Sequence, residues 1–126
     1  MDKVVHFEIP YDDAMRAHDF YKKVFHWKLT EVPDMNYTTV GTVEVDDKMM
    51  PKESGGINGG MMKRDKVKHP VITIAVKDIN KTVKDVEMHG GKLFIEKMQV
   101  GDMGFSAYIK DTEDNIIGLW QNLKEM

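Results

Sequence analysis

The sequence predicts an α+β fold made of two tandem βαβββ modules that pair into a concave cup with the helices outside. Three observations predict it: a strand followed by an amphipathic helix, a second copy of that design from Val71, and several strand-like segments after each helix. Because one module alone buries too little surface, we expect the two modules to pack against each other. The first module is assigned to residues 1–64 and the second to residues 65–126.

Composition bounds the class of protein. The 126 residues suit one domain, and 41% hydrophobic with 31% charged residues is typical of a globular chain. The net charge is −3 and no basic stripe occurs, so we expect no nucleic-acid partner. The sequence has no run of about 18 apolar residues, so we predict no membrane span. The chain has no cysteine, which excludes disulfides and a thiolate nucleophile and fits a cytoplasmic protein.

The first strand is predicted over Val4–Pro10. Alternation places Val5, Phe7 and Ile9 on one face, which should pack under a helix. The other face carries His6 and Glu8, two residues apart, so an imidazole and a carboxylate emerge on the same side. This is the first candidate site in the chain.

The first helix is predicted to begin after Asp12-Asp13, where a short carboxylate can accept hydrogen bonds from the first free amides. Apolar residues at helical spacing form its buried stripe: Ala14, Ala17, Phe20, Tyr21 and Val24. The helix ends at Phe25-His26-Trp27. A shift of 65 positions carries Asp13 to Asp78 and His26 to Gly91. Because a helix terminator often adopts positive φ, His26 is expected to carry modest strain.

The remaining elements follow from alternation and turn residues. In the second module, Asp78 is the expected helix N-cap, Gly90-Gly91 the C-cap, and Asp111 to Asn115 an acidic turn. The paired methionines are interpreted mainly as soft core or as a dimer contact. The basic run from Lys63 is interpreted mainly as solvated surface. Further strands are predicted over Lys28–Val32, Thr38–Val45, Ile57–Met62, Val71–Val76, Leu93–Glu96, Phe105–Lys110 and Ile116–Gln121.

Together these stretches resemble the glyoxalase / bleomycin-resistance / extradiol-dioxygenase superfamily, the vicinal oxygen chelate fold. The resemblance rests on HFEIPYDD, FYKKVFHWK, GGINGGMM, VITIAVKDI and IKDTEDNIIGLWQ, in that order, and covers nearly the whole chain. It implies two βαβββ modules forming a cup, frequently supported by homodimerisation. It also implies a small-molecule ligand.

Metalloenzymes of this superfamily place one metal ligand on each of four strands. The resemblance puts those positions at His6, Val71, Gly59 (or the adjacent Asn58) and Gly118, so only His6 is a good ligand. A divalent site needs three or four protein ligands. No cofactor is firmly predicted, and a divalent metal at His6 stays possible.

Six residues are the candidates for a site. His6 and Glu8 are the catalytic candidates, as acid or base, with a paired structural role as the alternative for each. The ligand-binding candidates are Gly59, Met61, Gly118 and Trp120. The two glycines either enlarge a pocket or allow close packing of the backbone, and Trp120 either offers an aromatic wall or packs in the core.

Three functions remain open from the sequence. The first is a bleomycin-resistance-like protein that binds a small apolar or aromatic molecule in the cup. The second is a metal-dependent lyase or isomerase of the lactoylglutathione-lyase type, in which a carboxylate moves a proton. The third is an accessory protein with a vestigial pocket.

Overall fold

The computed structural model describes residues 1–123 and shows eight strands and two helices within them. This confirms the predicted α+β class; residues 124–126 of the predicted second module lie outside the described part. The elements are β1 (Val4–Tyr11), α1 (Ala14–Phe25), β2 (Lys28–Val32), β3 (Tyr37–Gly41), β4 (Gly59–Lys63), β5 (Val71–Ala75), α2 (Ile79–Met88), β6 (Lys92–Val100), β7 (Gly104–Lys110) and β8 (Ile116–Asn122).

The chain divides into two compact units. The amino-terminal unit is His6–Pro70, and the carboxy-terminal unit contains Met1–Val5 and the chain from Val71 onward. Strands of the amino-terminal unit follow the order β1-β4-β3-β2, and those of the carboxy-terminal unit the order β5-β8-β7-β6. In each order the first pair is parallel and the other two are antiparallel. The internal repeat seen in the sequence is therefore a repeat of strand topology.

Both helices begin where the sequence predicts. The Asp13 carboxylate accepts a hydrogen bond from the Arg16 amide at 3.0 Å. The Asp78 carboxylate accepts one from the Lys81 amide at 3.2 Å. Each bond satisfies one of the amides that a first helical turn leaves without a partner.

The two helices end differently. α1 ends at His26, which has φ 63° and ψ 29° and so adopts the left-handed conformation, as predicted. α2 ends at His89, which has φ −111°, and the positive φ of 99° falls one residue later, on Gly90. The shift of 65 positions therefore holds at the helix starts and is lost at the ends, because α2 is two residues shorter than α1.

The carboxy-terminal unit has a compact apolar core. Ile79 of α2 is 1% exposed, and Val83 and Val86 pack against the same cluster, as the predicted stripe requires. The other buried members come from the strands and the loop before α2: Val76, Ala107, Ile109 and Leu119. Burial of these side chains is the main stabilising contribution to the unit.

The apolar stripe of α1 is only partly buried. Ala14, Ala17 and Tyr21 are half-buried, whereas Phe20 and Val24 remain 53% and 49% exposed. The prediction that all five form a buried stripe is thus wrong for Phe20 and Val24. Helical periodicity shows which residues share a face, but not how much of that face the sheet can cover.

Three strand boundaries differ from those predicted by two residues or more. β3 ends at Gly41 rather than Val45, and β4 begins at Gly59 rather than Ile57. β6 extends to Val100 rather than Glu96, and its pairing with β7 has two irregularities, between Leu93 and Ile95 and between Ile95 and Met98. Met61 is fully buried, whereas the paired methionines Met49 and Met50 are exposed. The interpretation as soft core therefore fits Met61 and does not fit Met49 or Met50.

Candidate functional site

The Tyr37 hydroxyl lies at the centre of a polar cluster with His6 and Glu8. It donates a hydrogen bond to Glu8 Oε2 at 2.8 Å and lies 3.0 Å from His6 Nε2. Because this hydroxyl has one proton and donates it to the carboxylate, it accepts from His6, which requires a proton on Nε2. The His6–Tyr37–Glu8 cluster is therefore a continuous hydrogen-bonded path from imidazole to carboxylate.

Strand geometry brings these three side chains together. Alternation along β1 places His6 and Glu8 on one face, as predicted. β4 lies between β1 and β3, so Tyr37 on β3 must cross β4 to reach Glu8. Glu8 pairs with Gly60 of β4, and a Cβ on Gly60 would overlap the Tyr37 hydroxyl and lie 2.6 Å from ring carbon Cε2. Gly60 thus leaves the space that the phenol occupies.

The members of the cluster differ in their access to solvent. The Glu8 side chain is 11% exposed, while the His6 side chain is 33% exposed and its Nε2 lies 3.7 Å from Glu8 Oε2. A nearly buried carboxylate is costly unless hydrogen-bonded, and Tyr37 supplies such a bond. The imidazole is the member that an incoming molecule can reach.

Gly59 and Met61 lie on the other face of β4. A Cβ on Gly59 would lie 2.7 Å from ring carbon Cδ1 of Phe7, and Met61 pairs with Ile9. Phe7 and Ile9 alternate with His6 and Glu8 along β1, so neither Gly59 nor Met61 faces the His6–Tyr37–Glu8 cluster. The position that does face it is Gly60, one residue from the predicted one.

Gly118 and Trp120 belong to the carboxy-terminal unit. A Cβ on Gly118 would lie 2.7 Å from Thr73 Oγ1, so this glycine allows close packing rather than opening space. Trp120 is half-buried, and its indole N–H donates to Asn122 Oδ1 at 2.7 Å. Their ligand-binding role stays a prediction.

The donor set does not fit a divalent metal centre. The His6–Tyr37–Glu8 cluster offers one imidazole and one carboxylate, and nowhere in residues 1–123 do three or more His, Asp or Glu side chains assemble for an ion. A site with three or four protein ligands is not formed by these side chains. The chemistry available to the cluster is hydrogen bonding and proton transfer.

Two residues of the amino-terminal unit acquire roles that the sequence did not assign. Tyr37 could not be placed in the cluster from the sequence, because 31 residues separate it from His6. His18 is half-buried, and its Nε2 lies 3.0 Å from the buried Thr38 hydroxyl. Only strand order, which places β3 beside β4, could have located Tyr37.

Comparison with known families bears on the amino-terminal unit. Residues 3–42 match the family described as "Bleomycin resistance protein-like N-terminal". That segment covers β1 to β3 and includes His6, Glu8 and Tyr37. Curated protein sequences give no significant match. Within the described residues, no helix is long and apolar enough to cross a membrane.

Solved structures share the fold over nearly the whole chain. A glyoxalase/bleomycin resistance protein/dioxygenase superfamily member from Vibrio splendidus has a TM-score of 0.63 at 13% identity, covering 98% of this chain and 100% of that one. The methylmalonyl-CoA epimerase of Mycobacterium tuberculosis has 0.62 at 14%, covering 96% and 88%. A variant of the Streptomyces coelicolor epimerase, in complex with 2-nitronate-propionyl-CoA, has 0.68 at 11%, covering 97% and 98%.

The class of protein follows from the fold and the family match together. The chain has a glyoxalase/bleomycin-resistance-like fold, and the resemblance stated from its sequence is confirmed. At these identities the solved structures establish the fold, and the fold alone does not fix the reaction.

Proposed function

We propose that the protein binds a small molecule at the His6–Tyr37–Glu8 cluster. The observation that carries the proposal is the Tyr37 hydroxyl held between an accessible imidazole and a nearly buried carboxylate. A polar group of the ligand would hydrogen-bond to the imidazole, and an apolar or aromatic part would contact the surrounding side chains, as the sequence predicts.

The test compares two tyrosines of the same unit. Amide chemical-shift mapping with a set of small aromatic compounds is expected to show perturbation at His6, Tyr37 and Gly60. Tyr37→Phe keeps the ring but removes the hydroxyl, and should weaken binding roughly tenfold, since a hydrogen bond that fixes the polar groups is lost. Tyr11→Phe is the matched control and should bind normally. Perturbation confined to residues outside the cluster would contradict the proposal.

A second candidate function is a metal-independent proton-transfer isomerase. It is supported by an acid–base set within hydrogen-bonding distance and by structural similarity to methylmalonyl-CoA epimerases. In such a reaction the proton next to a thioester carbonyl would enter the hydrogen-bonded path at the accessible His6 imidazole, the Tyr37 hydroxyl would relay a proton, and the Glu8 carboxylate would be the final acceptor. The metal-dependent lyase or isomerase predicted as the alternative requires ligands that the described residues do not assemble.

The isomerase candidate is tested by hydrogen exchange. Methylmalonyl-CoA is incubated with the protein in D₂O, and loss of the C2 proton signal is followed by NMR. The wild-type chain should accelerate exchange, and Glu8→Gln should reduce the acceleration at least about a hundredfold, as expected for removal of a general base. Exchange at the uncatalysed rate with the wild-type protein would leave binding as the only function of the cluster.

We also propose that the protein is a cytoplasmic homodimer. The exposed Phe20, Val24 and Phe25 on one helix support the dimer, because contiguous apolar surface of this kind favours association. Sedimentation equilibrium should give twice the monomer mass, and Phe25→Ser should shift the equilibrium toward monomer. A monomeric wild-type protein would contradict the dimer, and cell fractionation tests the compartment.

A further inference from the structure

We infer that the proposed ligand presents a hydrogen-bond donor, an O–H or N–H group, to the Nδ1 atom of His6. The direction of the hydrogen bonds in the His6–Tyr37–Glu8 cluster makes this nitrogen an acceptor. The inference rests on the proposed function and adds the chemical class of the ligand, an apolar or aromatic molecule that carries a hydroxyl or an N–H group rather than an anion.

Glu8 sets the direction of the hydrogen bonds. An ionised carboxylate can only accept, so the Tyr37 hydroxyl donates its single proton to Glu8 Oε2 at 2.8 Å. Toward His6 Nε2, which lies 3.0 Å away, the phenol oxygen then offers only a lone pair. The proton of that contact must come from the imidazole, and a neutral His6 is therefore held as the tautomer with its proton on Nε2.

Nδ1 is the ring nitrogen of His6 that remains for a ligand. A neutral imidazole carries one proton, so Nδ1 has a lone pair and no hydrogen when the proton is on Nε2. Nε2 bonds to Tyr37, and Nδ1 forms no hydrogen bond within the part of the chain that the structure describes. Because the His6 side chain is 33% exposed, an incoming molecule meets an acceptor there.

The Glu8 carboxylate disfavours an anionic ligand at the same place. Its Oε2 lies 3.7 Å from His6 Nε2, and its side chain is nearly buried, so solvent screens its charge less than at an exposed site. A phosphate or carboxylate at His6 would face this charge and the Nδ1 lone pair, and would need a second proton on the ring. A neutral O–H or N–H group avoids both repulsions and extends the hydrogen-bonded path from the ligand to Glu8.

Two isomers test the inference, 4-ethylphenol and 4-methylanisole. Both have one aromatic ring and one oxygen, but only the phenol has an O–H donor. Amide chemical-shift titration is made at about pH 8, well above the ordinary pKa of an imidazole. The phenol should bind roughly three- to tenfold more tightly than its isomer, as for one net hydrogen bond.

Two histidine variants locate the preference. His6→Phe keeps an aromatic ring at this position but removes Nδ1, so the two isomers should bind with equal affinity. His69→Phe makes the same change at an exposed histidine outside the cluster and should keep the wild-type preference. Nitrogen-15 NMR of the wild-type side chains reads the tautomer directly and should place the proton of His6 on Nε2. The tautomer and the comparison of isomers do not depend on the folding of a variant.

Each outcome decides the inference. Equal affinity of the wild-type protein for the two isomers, a proton on Nδ1 of the unliganded protein, or equal effects of His6→Phe and His69→Phe would overturn it. Failure here is distinguishable from failure of the proposed function. If both isomers perturb His6, Tyr37 and Gly60 with equal affinity, the cluster binds small molecules without selecting a donor. If neither isomer perturbs these residues, the inference and the proposed function fail together.

Discussion

At the scale of single residues, Tyr37 can lie between His6 and Glu8 because residue 60 has no side chain. The phenol passes over β4 at the point where a Cβ would overlap its hydroxyl. The contact is against ring atoms of a half-buried side chain whose hydroxyl is hydrogen-bonded, so the ring cannot move aside without breaking those bonds. Gly60 is therefore a positioning residue for the cluster.

Gly60→Ala should displace Tyr37 and destabilise the protein. Overpacking of this kind costs about 1–3 kcal/mol in the free energy of unfolding, measured by urea denaturation. Gly60→Ala should also weaken binding of the small aromatic compounds, as Tyr37→Phe does.

The control is Gly41→Ala, on the neighbouring strand. A Cβ there would meet Lys28 Cβ at an ordinary 3.5 Å, so the change in stability should stay within about 0.5 kcal/mol. Equal destabilisation by the two variants would contradict the positioning role of Gly60.

Asp111 makes the acidic turn sensitive to pH. Its carboxylate accepts amide hydrogen bonds from Asn115 and Glu113, and these lower its pKa below the ordinary value of 3.8. A group whose pKa is lower in the folded state stabilises the fold above its unfolded pKa, and this contribution is lost as pH falls through the folded pKa.

Asp111→Asn should therefore lower the free energy of unfolding near neutral pH, and the difference from wild type should shrink as the pH falls below 3.8 and through the lowered pKa of Asp111. Urea denaturation of both proteins at the two pH values measures it. A difference that does not change with pH would mean that the negative charge of Asp111 does not stabilise the turn.

At the scale of elements, the two helix ends offer a matched comparison. His26 ends α1 with φ 63°, in the region that glycine tolerates best, whereas His89 ends α2 with φ −111°. His26→Gly should raise the free energy of unfolding by about 0.5–1 kcal/mol, because relief of left-handed strain exceeds the added entropy of the unfolded chain.

His89→Gly should have the opposite effect. No strain is relieved at a negative φ, and the variant also loses the contact between His89 Nδ1 and the Asp85 carbonyl at 2.9 Å. Thermal denaturation of the two variants gives the comparison. A gain in stability for His89→Gly, or a loss for His26→Gly, would contradict the role of backbone conformation.

The type of each element was predictable from the sequence, whereas the face on which each side chain lies was less predictable. Both N-caps and all eight strands follow from residues within a few positions of one another. On β4, the predicted site residue Gly59 faces Phe7, whereas Gly60, one position later, faces Tyr37. Because strand side chains alternate, a shift of one residue changes the face completely.

At the scale of the whole molecule, the repeat in the sequence became a repeat in topology. Each unit orders its strands as first, fourth, third and second, with the first pair parallel. Buried apolar residues form a compact cluster in the carboxy-terminal unit, while α1 of the amino-terminal unit has no buried residue. The concave cup between the modules remains a prediction, as does the homodimer.

The sequence by itself determined the fold class, the repeat, the helix N-caps and the shared face of His6 and Glu8. These depend on periodicity and local hydrogen bonding, which act over a few residues. The tertiary structure alone decided that Tyr37 joins the cluster and that Gly60 makes room for it. It also joined His6 Nε2, rather than Nδ1, to the Tyr37 hydroxyl. Those contacts depend on strand order and register, which pairing between distant segments establishes and no local pattern encodes.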